Sequence, residues 1–180
     1  MRWQKHLGLL AEFINYHDIR KIAEIGVEKG GMTRCILKLC PQIEEYWAID
    51  QWRVTNKSIN GFRAVERDEE DWFELYQRVT KSMIKWKSLR VLRMTSLEAI
   101  KIFHDKYFDF VYIDAEHSYE AVTNDIIMWY PKVRVGGYLG GHDFNQIPVK
   151  EAVRDYFGNI SKDDQFGLQK RYVWLKQRLQ

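Results

Sequence analysis

The sequence predicts an α/β fold built on a mostly parallel, doubly wound sheet. Short apolar runs recur along the chain, separated by stretches whose apolar residues fall at helical spacing. The two kinds of segment alternate throughout, the pattern of a parallel sheet covered by helices on both faces. There is no internal repeat, low-complexity tract or long linker, so the 180 residues are expected to form a single domain over 1–180.

Trp3, Leu7, Leu10 and Ile14 predict an amphipathic N-terminal helix within residues 1–17. IRKIAEIG (19–26) is a strand running into glycine, and GGMTRCILKLC (30–40) is a helix stopped by Pro41. EEYWAID (44–50) is the second strand. The polar, turn-rich segment 53–71 is a candidate lid or an ordinary solvated connection, and helical spacing returns over 71–86. SLRVLRM (88–94) is the third strand, followed by a short helix (95–103) whose Thr95 and Glu98 have capping-box spacing. FDFVYID (108–114) is the fourth strand, with Ser118 placed to cap the helix after it. A glycine-rich fifth strand (135–144), a helix (148–157) and one or two closing strands (166–177) complete the chain.

Charge and composition narrow the function classes. The net charge of +3 comes from interleaved residues such as Arg63, Glu66, Arg67 and Asp68 rather than a basic stripe, so nucleic acid is not an expected partner. Cys35 and Cys40 lie five apart on one helix and point in different directions, which fits a reducing compartment. No stretch approaches the roughly 20 apolar residues of a membrane span, and MRWQKHLGLLAEF lacks the apolar core of a signal peptide. The expectation is a cytoplasmic protein without a membrane partner. Its aromatic N-terminal helix is a candidate lid or homodimer interface.

In doubly wound sheets ligands bind at the carboxyl ends of the strands. After the first strand stands EIGVEKGG (24–31). A dinucleotide fingerprint would place its second glycine at position 28, where Glu28 stands instead and would repel a pyrophosphate. This counts against a nucleotide-cofactor oxidoreductase. Asp50 ends the second strand about 20 residues later, the usual position of a ribose acceptor, which points to a ligand with a ribose but no pyrophosphate. Gln51 follows it. Trp52 is either a flat face for a ring or a packed aromatic. Met94, Thr95 and Ser96 border the same region after the third strand, although capping explains Thr95 equally well.

Glu24, Gly26 and Gly30 in E-x-G-x-x-x-G, Asp50, and the stretch DFVYIDAEHSYEAVTNDIIMWYPKVRVGGYLGGHDF together resemble the class I S-adenosylmethionine-dependent methyltransferases. Within them the small-molecule O-methyltransferase-like branch is closest, with Ala115 where that branch commonly has glycine. The resemblance covers roughly residues 19–157. It implies a Rossmann-like, seven-stranded sheet with an antiparallel C-terminal strand pair, and S-adenosylmethionine as cofactor. It also implies Gly26 and Gly30 against the methionine portion, Asp50 on the ribose, and Glu24 and Asp114 near the cationic end. The acceptor it implies is a small hydroxylated molecule.

Asp114, His117, His142 and Asp143 then fall at the ends of adjacent strands. Three readings stand. Asp114 and Asp143, with His142 as a further donor, hold Mg²⁺ or Mn²⁺. Alternatively His117 or His142 is a general base without a metal. Or Asp114 holds the cofactor's amino group while the others fix local loops. Metal-dependent relatives commonly carry a third polar ligand after the second acid, where this sequence has Phe144. A nucleic-acid methyltransferase and a non-catalytic cofactor-binding module are the other classes; IDAEHSY stands where base-methylating enzymes carry an Asn/Asp-Pro-Pro-Tyr type of motif.

Overall fold

The computed structural model describes residues 2–53, 68–160, 165–166 and 173–180. Helix α1 (Arg2–Tyr16) leads into β1 (Lys21–Ile25), α2 (Gly31–Leu39) and β2 (Glu45–Asp50). Next come α3 (Glu69–Met83), β3 (Leu89–Arg93), the one-turn α4 (Ser96–Ala99) and β4 (Phe108–Ile113). The chain continues through α5 (Tyr119–Trp129), β5 (Val133–Gly141), α6 (Ile147–Phe157), β6 (Gln165–Phe166) and β7 (Val173–Gln177).

The strands form one mixed sheet of order β3-β2-β1-β4-β5-β7-β6. β1 to β5 pair in parallel, and β7 runs antiparallel to both β5 and β6. Six strands are five residues or longer, whereas β6 has two residues. The closing pair is thus one full strand with a short edge partner. Most of the segment proposed as a lid, 54–67, lies outside the described residues. Its end belongs to α3, where Asp68 accepts a hydrogen bond from the Asp71 N–H at 2.8 Å and caps the helix.

Each strand sends alternate side chains to opposite faces, and this period of two divides the core. Ile22, Tyr46, Ala48, Phe110 and Tyr112 pack under Leu7, Leu10 and Ile14 of α1, Met32 and Ile36 of α2, and Leu75, Val79 and Met83 of α3. Ala23, Ile25, Ile49, Val111, Ile113 and Leu139 face Val122, Ile126 and Trp129 of α5 and Val149, Ala152 and Val153 of α6. β7 contributes to both layers, with Val173 and Leu175 on one side and the fully buried Trp174 on the other.

β7 also accounts for Gly140 and Gly141 of β5. A Cβ on Gly141 would come within 2.8 Å of the Trp174 indole, and one on Gly140 within 2.5 Å of Leu175. Neighbouring strand atoms, not a ligand, occupy that space. The expected caps form: Thr95 and Glu98 make the reciprocal capping box of α4, and the Ser118 hydroxyl accepts from the Ala121 N–H at 3.3 Å. Both cysteines are free thiols. Among the described residues no helix is long and apolar enough to cross a membrane.

Candidate active site

From β1 the chain passes to β2 and β3 on one side, and from β4 to β5 on the other, so the strand order reverses between β1 and β4. The ends of these two strands meet closely. Gly26 has φ 90°, and a Cβ there would stand 2.1 Å from the Asp114 carbonyl oxygen. The glycine is required because the backbone after β4 occupies the place of its side chain. Gly30, at φ 66°, opens α2 and lies under Val79 and Met83.

Asp50 fastens the glycine loop. One carboxylate oxygen accepts from the N–H groups of Val27 (2.8 Å) and Glu28 (2.9 Å), and the other from the Trp52 N–H (2.8 Å). Trp52 is fully buried, tilts against Tyr76 and donates its indole N–H to the Glu28 carbonyl at 2.9 Å. It is a packed aromatic that joins the two loops and has no open face for an adenine ring. Gln51, beside it, borders a cavity of about 600 Å³ with Arg53, Glu69, Arg93, Met94, Glu98 and Ile102. That volume falls within the usual range for small-molecule sites, roughly 300–1,000 Å³.

Thr95 and Ser96 point their hydroxyls elsewhere. Thr95 is engaged with Glu98, while Ser96 donates to the buried Asp125 at 2.5 Å and accepts from the Trp129 indole at 2.7 Å. Burial pushes the Asp125 carboxyl up to about 6. These two residues hold the β3–α4 turn in place, and any ligand contact from them would come through backbone.

Glu24 is the most deeply placed acid among the described residues, with 2 % of its surface exposed. Its Oε2 accepts from the Thr33 hydroxyl (2.5 Å) and the Tyr46 hydroxyl (2.7 Å). Burial is the main reason its pKa rises from 4.5 to about 8, with Asp114 and Asp50 adding repulsion against the two hydrogen bonds. Because the folded value lies above the unfolded one, the contribution of this group to stability is full below about pH 4.5 and is lost as pH climbs through about 8. Glu24→Gln keeps an acceptor oxygen but cannot ionise. Denaturation midpoints measured across this window should therefore fall less steeply in the variant than in the wild type; parallel curves would show that Glu24 is already ionised in the folded protein.

The polar residues at the ends of β4 and β5 converge. His117 Nε2 lies 3.1 Å from Asp143 Oδ2 and 3.7 Å from Asp114 Oδ1. His142 Nδ1 lies 3.1 Å from the same Asp143 oxygen and 4.0 Å from Asp114 Oδ1. Asp143 takes this position with φ 54°, a left-handed conformation that Asp and Asn tolerate better than most residues. Asp114 is the main cause of a raised His117 pKa; burial opposes it and the charge of Asp143 adds to it. For His142 burial works downward, but the hydrogen bond to Asp143 and the two carboxylate charges leave it raised. Burial alone would lift the Asp143 carboxyl, yet the two imidazoles hold it below its ordinary value.

The donor atoms of Asp114, His117 and Asp143 lie within 4.8 Å of one another, close enough to share a cation. His117 Nε2 is buried and has no hydrogen-bond partner, although it faces both carboxylates. A buried nitrogen between two acids fits the donor set of a divalent cation. His117, not His142, is the third member of the tight group, and Phe144 turns into the core with 4 % exposure. Gln146, which the sequence reading did not single out, brings its amide nitrogen to 3.4 Å from His117 Nδ1. The only signal for it was its place just before the Ile147-Pro148 helix start.

The family described as "Methyltransferase domain" matches residues 23–144, more than half of the chain and all the strand ends just described except Gln146. The chain belongs to the methyltransferase-domain family. With the motifs above, this makes it a class I S-adenosylmethionine-dependent methyltransferase. Solved structures of the same fold include the O-methyltransferase NovP, with a TM-score of 0.70 at 19% identity over 99% of this chain and 80% of that one. A second is a putative caffeoyl-CoA O-methyltransferase from Staphylococcus aureus, at 0.65 and 15% over 96% and 82%. Spermidine synthase in complex with the transition-state analogue AdoDATO also shares the fold, at 0.62 and 13% over 98% and 59%. No curated protein matches the sequence of this methyltransferase.

Proposed function

We propose that this methyltransferase acts on a hydroxyl of a small-molecule acceptor, and that Asp114, His117 and Asp143 hold a divalent cation beside that hydroxyl. The orphaned His117 Nε2 between the two carboxylates carries the reading. The cofactor lies over the ends of β1, β2 and β3, in the cavity bordered by Gln51 and Met94. S-adenosylmethionine supplies a methyl group on a sulfonium, and it has no phosphate for Glu28 to repel. Gly26 keeps the β1 and β4 ends in register, Asp50 holds the glycine loop, and Asp114 sets negative charge toward the cationic end of the ligand.

A cation at Asp114, His117 and Asp143 supplies positive charge that lowers the pKa of a neighbouring hydroxyl and fixes its oxygen. Asp114 closes β4 beside Gly26, so it lies next to the cofactor loop as well as to the acceptor. This adjacency aligns donor and acceptor, which is the protein's chief contribution to an in-line displacement. His142 gives a second reading of the proton's destination. With Nδ1 3.1 Å from Asp143 Oδ2, His142 forms a carboxylate–imidazole pair that would act as general base without a metal.

Calorimetry with S-adenosylhomocysteine, in EDTA and then with Mn²⁺ or Mg²⁺, separates the readings. The cofactor product should bind in EDTA. An imidazole among the donors favours Mn²⁺ over Mg²⁺, so Mn²⁺ should bind on the order of tenfold more tightly. Methyl transfer to hydroxyl acceptors that persists undiminished in EDTA would leave the His142–Asp143 pair as the base and remove the cation. Methylation of amines but not hydroxyls would overturn the oxygen acceptor.

A further inference from the structure

Gln146 occupies the N-cap of α6, where a short polar side chain usually turns back to its own helix. It makes no such capping bond. Its backbone N–H donates to the Asp143 carbonyl at 2.8 Å, which ties it to the left-handed turn that carries Asp143. Its side-chain amide nitrogen reaches His117 Nδ1 at 3.4 Å, beside the Asp143 carboxylate whose pKa it helps to lower.

The NH₂ end of Gln146, which can only donate, is the end that faces His117 Nδ1. Nδ1 therefore accepts, and the neutral ring carries its proton on Nε2. That proton points into the group of three donors, where a cation needs the Nε2 lone pair. Ligation requires the proton on Nδ1 and an acceptor facing it. Turning the Gln146 amide end over end exchanges its nitrogen for its oxygen and supplies that acceptor with no movement of the backbone.

We propose that Gln146 is a positioning residue that sets the tautomer of His117, its NH₂ holding the ring as an Nε2–H donor in the metal-free protein and its oxygen holding it as an Nε2 ligand when a divalent cation is bound. The cation half of this statement rests on the metal reading of the site; the metal-free half does not. Second-shell partners of metal-bound histidines act in this way, and losing them typically costs about 10–100-fold in affinity.

The test is two-bond ¹H–¹⁵N correlation of the histidine side chains at a pH where the rings are neutral, with His117 assigned by its loss in His117→Asn. Zn²⁺ serves as the diamagnetic probe. Wild-type protein should show His117 as the Nε2–H tautomer without metal and as Nδ1–H with Zn²⁺. Gln146→Glu, whose carboxylate can only accept, should show Nδ1–H in both conditions and bind Zn²⁺ roughly tenfold more tightly. Gln146→Leu should leave the metal-free ring with mixed tautomers and weaken Zn²⁺ by a similar factor. An Nδ1–H ring in metal-free wild type, or a tautomer indifferent to both substitutions, overturns the inference. If Zn²⁺ does not bind the wild type, the cation reading fails, and the metal-free spectra alone decide whether Gln146 sets the tautomer.

Discussion

Asp143→Asn is expected to weaken Mn²⁺ binding by at least about tenfold and to slow transfer to any accepted hydroxyl by roughly 10²–10⁴-fold, with the fold intact. Asp143 is the common neighbour of both imidazoles, each 3.1 Å from its Oδ2. Asparagine keeps the side-chain shape and tolerates the left-handed backbone, so it removes the charge and little else. Alanine is the poorer probe, because at φ 54° it adds about 1–2 kcal/mol of backbone strain that would be mistaken for a role in folding. Calorimetry gives the first number and product formation from labelled cofactor the second. Unchanged metal affinity together with lost turnover would assign Asp143 to orienting His142 instead.

Among the described glycines, Gly26→Ala should be the most damaging, at a cost of about 3–5 kcal/mol. The added Cβ would stand 2.1 Å from the Asp114 carbonyl oxygen and 2.7 Å from Ala115 Cα, and neither neighbour is the end of a flexible side chain. Relief requires β1 and β4 to separate at the point where the Asp114 N–H donates to the Ile25 carbonyl at 2.7 Å. A loss of this size takes much of the 5–15 kcal/mol typical of a whole domain, so the variant should melt far below the wild type or fail to accumulate. Urea denaturation decides it. A midpoint within experimental error of the wild type would mean that the two strand ends stand far enough apart to admit a methyl group.

The sequence was most legible where its own periodicity governs structure. The sequence and alternation of strands and helices, the capping box at Thr95 and the cap at Ser118 all follow from local chemistry, and they appear where that chemistry places them. Strand ends were also readable, which is how Asp114 and Asp143 came to be paired. What escaped was the direction of individual side chains. Trp52 follows Asp50 closely enough to look like a ligand contact, but a left-handed backbone at φ 39° turns it into the core. Ser96 sits beside the expected adenine site, yet its hydroxyl is claimed by a residue 29 positions away. His117 became the third donor because the turn after β4 folds it over Asp143, a contact between two separate loops. No window of sequence contains such a contact.

The carboxylate of Asp50 has a consequence for how a ligand is received. Three amide hydrogens from two loops converge on it, so the segments after β1 and β2 move as one piece or not at all. Disorder that a binding partner would otherwise have to remove has already been removed during folding. A small molecule docking against these loops thus meets a pre-organised wall and loses little of its affinity to ordering them. Unlocking that wall, for instance with Asp50→Ala, should appear less as a missing contact than as a more unfavourable entropy of association.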